Sequence, residues 1–496
     1  MTAGTDTGRP AGQGDLTVAV RRLVAQTVAD LKGPAAAQLN VVLAGLSEHL
    51  RVAIAGRRNS GKSTIVNALL GELAAPTDRL ECTKLVAWYR SDKYDHARVV
   101  TKDGSAHDIV LLSGGRLPPL LDVVEAEIAD IEVWLDSGTV RNKTIIDTPG
   151  YDALHPETET RTRELFEAHT VDAIVFVHNE PVKADELEAL RGFRQHLGRD
   201  HGIRINTVGV LTKADKLNPD DPWRAARDLA AANASRLESV AATVVPVFGL
   251  MAETAATERL TGDDFWYLQK LRDLPADALW AADSVMEEDS EVPVEARVRL
   301  LNLLGVYGLR YALEQIGSGR RTVPELNEAL AEHSGLRPLQ RTLDSQFGER
   351  ADILKAHTAL QELIRISEHE ADGPDRDRLR RSRDEALRLK RHPRLHVLNE
   401  LAAYESCVRG EVELPDDLMA GLRRLACERG LAARLGLPPD SSLGLIRKTL
   451  LKEGGRWNEF INDGASAAQR EVAYIVLMSY GFAFDAIEEQ PEVGNE

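Results

Sequence analysis

Apolar and polar positions change rhythm twice along the chain. Between residues 15 and 50 the run DLTVAVRRLVAQTVADLK sets Leu16, Val20, Leu23, Val24 and Val28 on one helical stripe. Gly33-Pro34 interrupts it, and a second helix is expected to reach about Leu50. From residue 51 the rhythm shortens. Apolar runs at 51–56, 85–90, 97–101, 131–136, 144–147, 173–178, 205–212 and 243–249 alternate with helical patterns. That alternation predicts a mostly parallel sheet with helices on both faces. After about residue 255 the pattern is helical to the end.

The clearest of these helices is expected over about 335–369, with Leu336, Leu339, Leu343, Phe347, Ala351, Leu354, Leu360 and Ile364 as its stripe. At 1.5 Å per residue it would be roughly 50 Å long, the length of a bundle or stalk. Its expected stop is Gly373-Pro374, and the acidic stretch Glu287 to Glu295 reads as a linker. The division predicted is a tail at 1–14, bundle helices at 15–50, a nucleotide-binding α/β domain at 51–255 and a helical bundle at 256–496.

Composition narrows the class. The 496 residues are 43% hydrophobic and 28% charged, too apolar for a disordered chain. A net charge of −17 argues against a nucleic-acid coat, so no nucleic-acid partner is expected. The three cysteines, Cys82, Cys407 and Cys427, stand in no metal-ligand spacing and fit a reducing cytoplasm. No run reaches the roughly 18 apolar residues of a membrane span. The nearest, Val472 to Phe484, reads as a core helix, so any membrane contact is expected to be peripheral.

Four short motifs carry the chemistry. Gly56-Arg-Arg-Asn-Ser-Gly61-Lys62-Ser63 fits the phosphate loop GxxxxGK[ST], between the strand RVAIAG and the helical TIVNALLGEL. Backbone N–H groups from Gly56 through Ser60 and Gly61 to Thr64 can converge on phosphate oxygens at a helix N-terminus. Lys62 would reach the β- and γ-phosphates, and the Ser63 hydroxyl would ligate Mg2+. Asp147-Thr148-Pro149-Gly150 ends the strand TIID; Asp147 can hold Mg2+ and Gly150 can donate to a γ-phosphate. Thr212-Lys213-Ala214-Asp215 follows another strand. Asp215 would accept from guanine N1–H and the 2-amino group, a donor pair adenine lacks, which favours GTP and GDP over adenine nucleotides. Thr83 lies where a threonine can ligate Mg2+ and orient water, and Thr77 competes for that role. Val247-Phe248-Gly249 is a candidate base-flanking loop.

With these residues in place the chain resembles the dynamin superfamily. The run VAIAGRRNSGKSTIVNALLGELAAPTDRLECTKLV spaces the phosphate loop, Pro76 and Thr83 as dynamins do, and DTPG and TKAD follow in order. ILKAHTAL (353–360) and AARLGLPPDSS (432–442) look like the smaller of the actinobacterial isoniazid-inducible dynamin-like proteins. The resemblance implies an α/β P-loop GTPase domain on an elongated α-helical bundle built from both ends of the chain. It implies GTP hydrolysis, self-association through GTPase heads, and binding and remodelling of membranes, and it leaves open whether a companion dynamin-like protein takes part. Tyr151 stands where Ras-like GTPases carry a water-orienting glutamine. Arg58 or Arg57 is therefore a candidate arginine finger and Asn59 a candidate for placing water; the alternative is that both arginines face solvent or pair with acidic groups. Residues 376–394 hold nine basic and three acidic side chains, read either as an anionic-membrane contact or as a solvated bundle face. Against membrane remodelling stand two other readings, a regulatory switch acting on a protein and a scaffold that binds GTP but hardly turns it over.

Overall fold

The structure is a computed structural model. It describes every residue outside 1–14, 77–84, 113–114, 119–122, 124–126, 142, 151–170, 197–205, 219, 238–239, 273–284, 286–290, 349–350, 370–374, 409, 429 and 489–496. The expectations for the N-terminal tail, Thr77, Thr83, Cys82, Tyr151 and the Gly373-Pro374 stop therefore lie outside the described residues.

Among the described residues, nine strands form one sheet: β1 (Leu50–Ala55), β2 (Val86–Ser91), β3 (His96–Thr101), β4 (Ala106–Ile109), β5 (Ile128–Leu135), β6 (Lys143–Asp147), β7 (Ala173–His178), β8 (Thr207–Leu211) and β9 (Val244–Pro246). Their order is β4-β3-β5-β2-β6-β1-β7-β8-β9. The stretch from β6 through β1, β7 and β8 to β9 is parallel. β1 and β7 are buried at every position, as central parallel strands covered by helices must be. The other end is mixed: β2 runs antiparallel to β6, and β3 antiparallel to β4 and β5. The polar strand β4, AHDI, is exposed along most of its length and has no apolar run to announce it.

Register fixes the site. Ile54 pairs with Asp147, Ala55 with Phe176, and His178 with Leu211. Gly56, Asp147, His178 and Thr212 thus emerge together at the carboxyl ends of four adjacent parallel strands, where open α/β sheets bind ligands.

The chain divides into two compact units, 49–197 with 205–350, and 1–48 with 198–204 and 351–496. This differs from the expected boundary at 255. The helices Gly262–Leu271, Val294–Gly317 and Val323–His333 share one core with the sheet, where Phe176, Leu211 and Phe248 are buried with Leu300, Leu304 and Leu330. The expected 335–369 helix is also divided. Leu336–Leu343 is followed by a π-helical turn, Asp344–Gly348, in the sheet unit, while Ala351–His369 lies in the other unit. The phase resets with it: Leu363 and Ile366 are buried, and Ile364 only half-buried.

In the helical unit, Asp15–Asp30 and Pro34–Ser47 pack with Ala351–His369, so both ends of the chain build it. Leu16, Val20 and Val24 of the first stripe are fully buried. The basic helix Arg376–Leu389 buries Leu379 and Ala386, and Ser382 accepts from Thr27 at 2.8 Å. Val472 and Val476 of Ala467–Glu488 pack with Trp457 and Leu422, so this apolar run is a core helix.

Candidate active site

Glycine permits the phosphate loop. A Cβ on Gly56 (φ 154°) would lie 2.1 Å from the Val177 carbonyl oxygen, and Gly61 (φ 97°) caps the helix Lys62–Leu70 in the left-handed region. Between them Asn59 also holds a positive φ of 61°. The loop closes with the Ser60 N–H donating to the Arg57 carbonyl at 3.2 Å.

Lys62 is buried, and its ammonium donates to the Arg57 carbonyl at 3.0 Å. Burial pulls it down to about 8, partly opposed by Asp147. Beneath it the Ser63 hydroxyl donates to Asp147 Oδ2 at 3.2 Å. Burial pushes the Asp147 carboxyl up to about 6 despite Lys62 and Ser63. Its other oxygen, Oδ1, is buried with no hydrogen-bond partner, as is Ser60 Oγ. A buried carboxylate oxygen with an open lone pair beside a serine hydroxyl suits a hard cation or its water. Thr148 pins the DTPG turn to β1 through Oγ1 on the Ile54 carbonyl at 2.9 Å. Gly150 sits so close that a Cβ would lie 2.7 Å from Arg58 Cα and 2.9 Å from Lys62 Nζ.

The TKAD turn is stitched to the same loop. Thr212 Oγ1 donates to the Ser60 carbonyl and lies 3.2 Å from that of His178; Lys213 (φ 54°) donates to the Asn59 carbonyl at 2.7 Å. Burial raises Asp215 and lowers Lys213. Thr64, in the first turn of the phosphate helix, meets Gly249, where a Cβ would lie 3.3 Å from Thr64 Cγ2.

Arg57 forms an ion pair with Asp185 at 3.6 Å, one of the alternatives its position left open. Arg58 also has interactions and is not a free cation. Gly56, Ser60, Lys62, Ser63, Asp147, Gly150, Thr212, Lys213 and Asp215 are thus brought to one end of the sheet.

Several neighbours carry no motif. Asn67 clamps Ala75, accepting from its N–H at 2.8 Å and donating to its carbonyl at 3.0 Å, and donates to buried Glu253 at 2.8 Å. His178, held near 4 by burial, lies 3.2 Å from Asn233 Nδ2 through its Nδ1. The strand ending at His178 marks that residue's position, whereas Asn67 has no signal, because a buried amide leaves no periodic pattern.

A phosphate loop, an acidic turn and a TKxD turn at the carboxyl ends of adjacent parallel strands define a P-loop GTPase. A family model described as 50S ribosome-binding GTPase matches residues 51–208. The isoniazid-induced protein IniC of Mycobacterium tuberculosis, from strains CDC 1551 / Oshkosh and ATCC 25618 / H37Rv, is 33% identical over 437 residues, 84% of this chain and 86% of that protein. Dynamin-like protein 2 of Campylobacter jejuni is 26% identical over 188 residues, 37% of this chain and 29% of that protein. A solved chain from an oligomerised bacterial dynamin pair aligns over 98% of this chain and 78% of its own, at 14% identity and a TM-score of 0.31. The chain belongs to the IniC family and is a bacterial dynamin-like GTPase, an enzyme that hydrolyses GTP. No helix among the described residues is long and apolar enough to cross a membrane.

Proposed function

We propose that GTP binds where the three motifs meet and is hydrolysed there by in-line attack of water on the γ-phosphate. The observation that carries this reading is their mutual contact: Ser63 on Asp147, Thr212 on Ser60 and Lys213 on Asn59. Backbone N–H groups from Gly56 to Thr64 cradle the phosphates at the N-terminus of Lys62–Leu70. Lys62 exchanges the Arg57 carbonyl for the β- and γ-phosphates, and the Gly150 N–H donates to the γ-phosphate. Ser63, Asp147 and Thr83 would hold Mg2+, which when bound neutralises charge on the phosphates. Thr212 fastens the base-reading turn to the phosphate loop, the Lys213 stem packs on guanine, and Asp215 accepts from its N1–H and 2-amino group. Arg58 stabilises charge on the transferring phosphoryl group once heads pair, and Asn59 places the water. Asp185 holds Arg57 away from this task.

Turnover then couples head pairing to binding and remodelling of an anionic membrane by a cytoplasmic, peripheral protein, alone or with a companion dynamin-like chain. The resemblance to dynamins supports this, as do the exposed Arg376, Arg380 and Arg381 of the basic helix. The same helix also pairs Arg378 with Asp30 of the first bundle helix and, within itself, Arg388 with Glu385, which offsets part of its charge. Turnover measured against protein concentration, with and without anionic vesicles, tests the reading. Rates rising with both support it. Rates indifferent to both favour a switch acting on a protein, and tight GTP binding with negligible turnover contradicts the assigned chemistry.

A further inference from the structure

Two helices beyond the GTPase motifs close on the base-reading end. Val294–Gly317 is interrupted at Gly305, whose φ of 68° and ψ of 176° are not helical. A Cβ there would lie 3.7 Å from Asp215 Oδ2 and 3.6 Å from Leu250 Cδ1. The Phe248 N–H, in the base-flanking loop, donates to the Ser334 carbonyl at 2.8 Å, just past Val323–His333. Gly335 (φ 84°) passes so near that a Cβ would lie 2.3 Å from the Pro246 carbonyl oxygen and 3.1 Å from Trp223 Cη2.

A polar–aromatic cluster fastens this junction. The Trp223 indole N–H, which can only donate, lies 3.1 Å from His333 Nε2. The Tyr307 hydroxyl lies 2.7 Å from the same nitrogen. His333 is therefore neutral with its proton on Nδ1, and burial lowers its affinity for a second proton. Its ring stacks on Tyr311 at 4.0 Å and 4°. Trp223 packs on Phe248 at 4.4 Å, and Phe248 meets Tyr307 edge-on at 5.1 Å. One imidazole nitrogen thus links the helix after TKAD to both later helices, and Trp223 and Tyr307 carry the packing on to Phe248 of the base-flanking loop.

We propose that this cluster is the seat of the guanine-reading loops, with His333 and Gly305 as positioning residues for nucleotide affinity and base selectivity. The inference rests on the guanine role proposed for Asp215. Its consequence is specific: damage to the seat loosens the base and leaves the phosphate chemistry in place.

The test measures GDP Kd, GTP KM and kcat, and XTP against GTP preference in the full chain. His333→Phe keeps an aromatic ring but removes the acceptor, and it should raise GDP Kd and GTP KM about tenfold, the scale of one buried hydrogen bond left unmade. Saturated kcat should stay within about twofold, since no group at the phosphates has moved. His333→Gln offers an acceptor at the same reach and should recover most of the affinity. General loss of stability would instead lower the active fraction and leave the Kd of the folded remainder unchanged. If His333→Phe does not fold, Gly305→Ala must give the same split, and its failure to do so overturns the proposal. Asp215→Asn separates the two readings. If it shifts preference toward XTP while His333→Phe or Gly305→Ala leaves Kd unchanged, the seat is refuted and the guanine reading stands. If Asp215→Asn changes no preference, the guanine reading itself has failed.

Discussion

At the phosphate end, Gly56 to Ser63 follow one another along the chain and Asp147 joins them from the neighbouring strand. At the guanine end, Asp215 is approached by Gly305 and Phe248 is held by Ser334, both from helices far later in the chain. The first end is a local turn whose shape follows from glycines and a helix start. The second is a tertiary assembly, set by how distant helices pack. A local site tolerates change elsewhere in the protein; an assembled one inherits every change in its supports.

Substitutions at the two ends should differ in kind, and the largest effect belongs to the base. Asp215→Asn replaces an acceptor with a donor, and discrimination between GTP and XTP should change by roughly 10⁴-fold, the scale on which a site built for hydrogen bonds rejects a mismatched partner. Competition binding against labelled GDP checks it, and a preference unchanged within a few-fold would contradict the assignment. Lys62→Ala comes next. It should lower single-turnover hydrolysis by about 10²–10³-fold at saturating GTP, because it removes charge stabilisation where the phosphoryl group transfers. A loss confined to KM would place Lys62 in binding alone.

Those two ends also differ in how far they could be read from sequence. The phosphate loop, DTPG and TKAD are contiguous strings on apolar strands, so both residues and order were visible. The strands were visible for the same reason, except β4, whose Ala106, His107 and Asp108 are exposed and carry no alternation. The boundary at 255 misplaced the later helices because a helix stripe says that a face is buried and not against what. Leu300 and Leu304 would fit a bundle as well as the sheet they join. The 335–369 helix failed at the π-helical turn Asp344–Gly348, which keeps apolar Phe347 in phase while ending the regular helix. His333 and Trp223 had no motif to mark them, since each matters only through a contact across the chain.

Between the two ends lies His178, and pH can probe it. Its folded pKa, about 4, is below the ordinary 6.5, so the unfolded chain binds the proton first as pH falls. Stability should drop by about 2 kcal/mol from pH 7 to pH 5 through this group alone. Asp147, raised to about 6, works in the opposite direction in the nucleotide-free protein. The difference between wild type and His178→Gln isolates the histidine: urea midpoints of the variant should decline less over that range. Parallel curves would contradict a buried neutral His178.

A further contrast is between the two arginines. Arg57→Ala removes a partly exposed pair with Asp185 and should leave turnover within about twofold. Arg58→Ala should lower turnover at high protein concentration by on the order of 10³-fold and alter it little at low concentration. Equal effects at all concentrations would separate Arg58 from head pairing.

The most direct test of a guanine-reading triphosphate site is titration of the nucleotide-free protein with GTP and with ATP under identical Mg2+. Saturable GTP binding with ATP at least about 100-fold weaker is the predicted result. Equal affinities for the two would contradict the account at its centre.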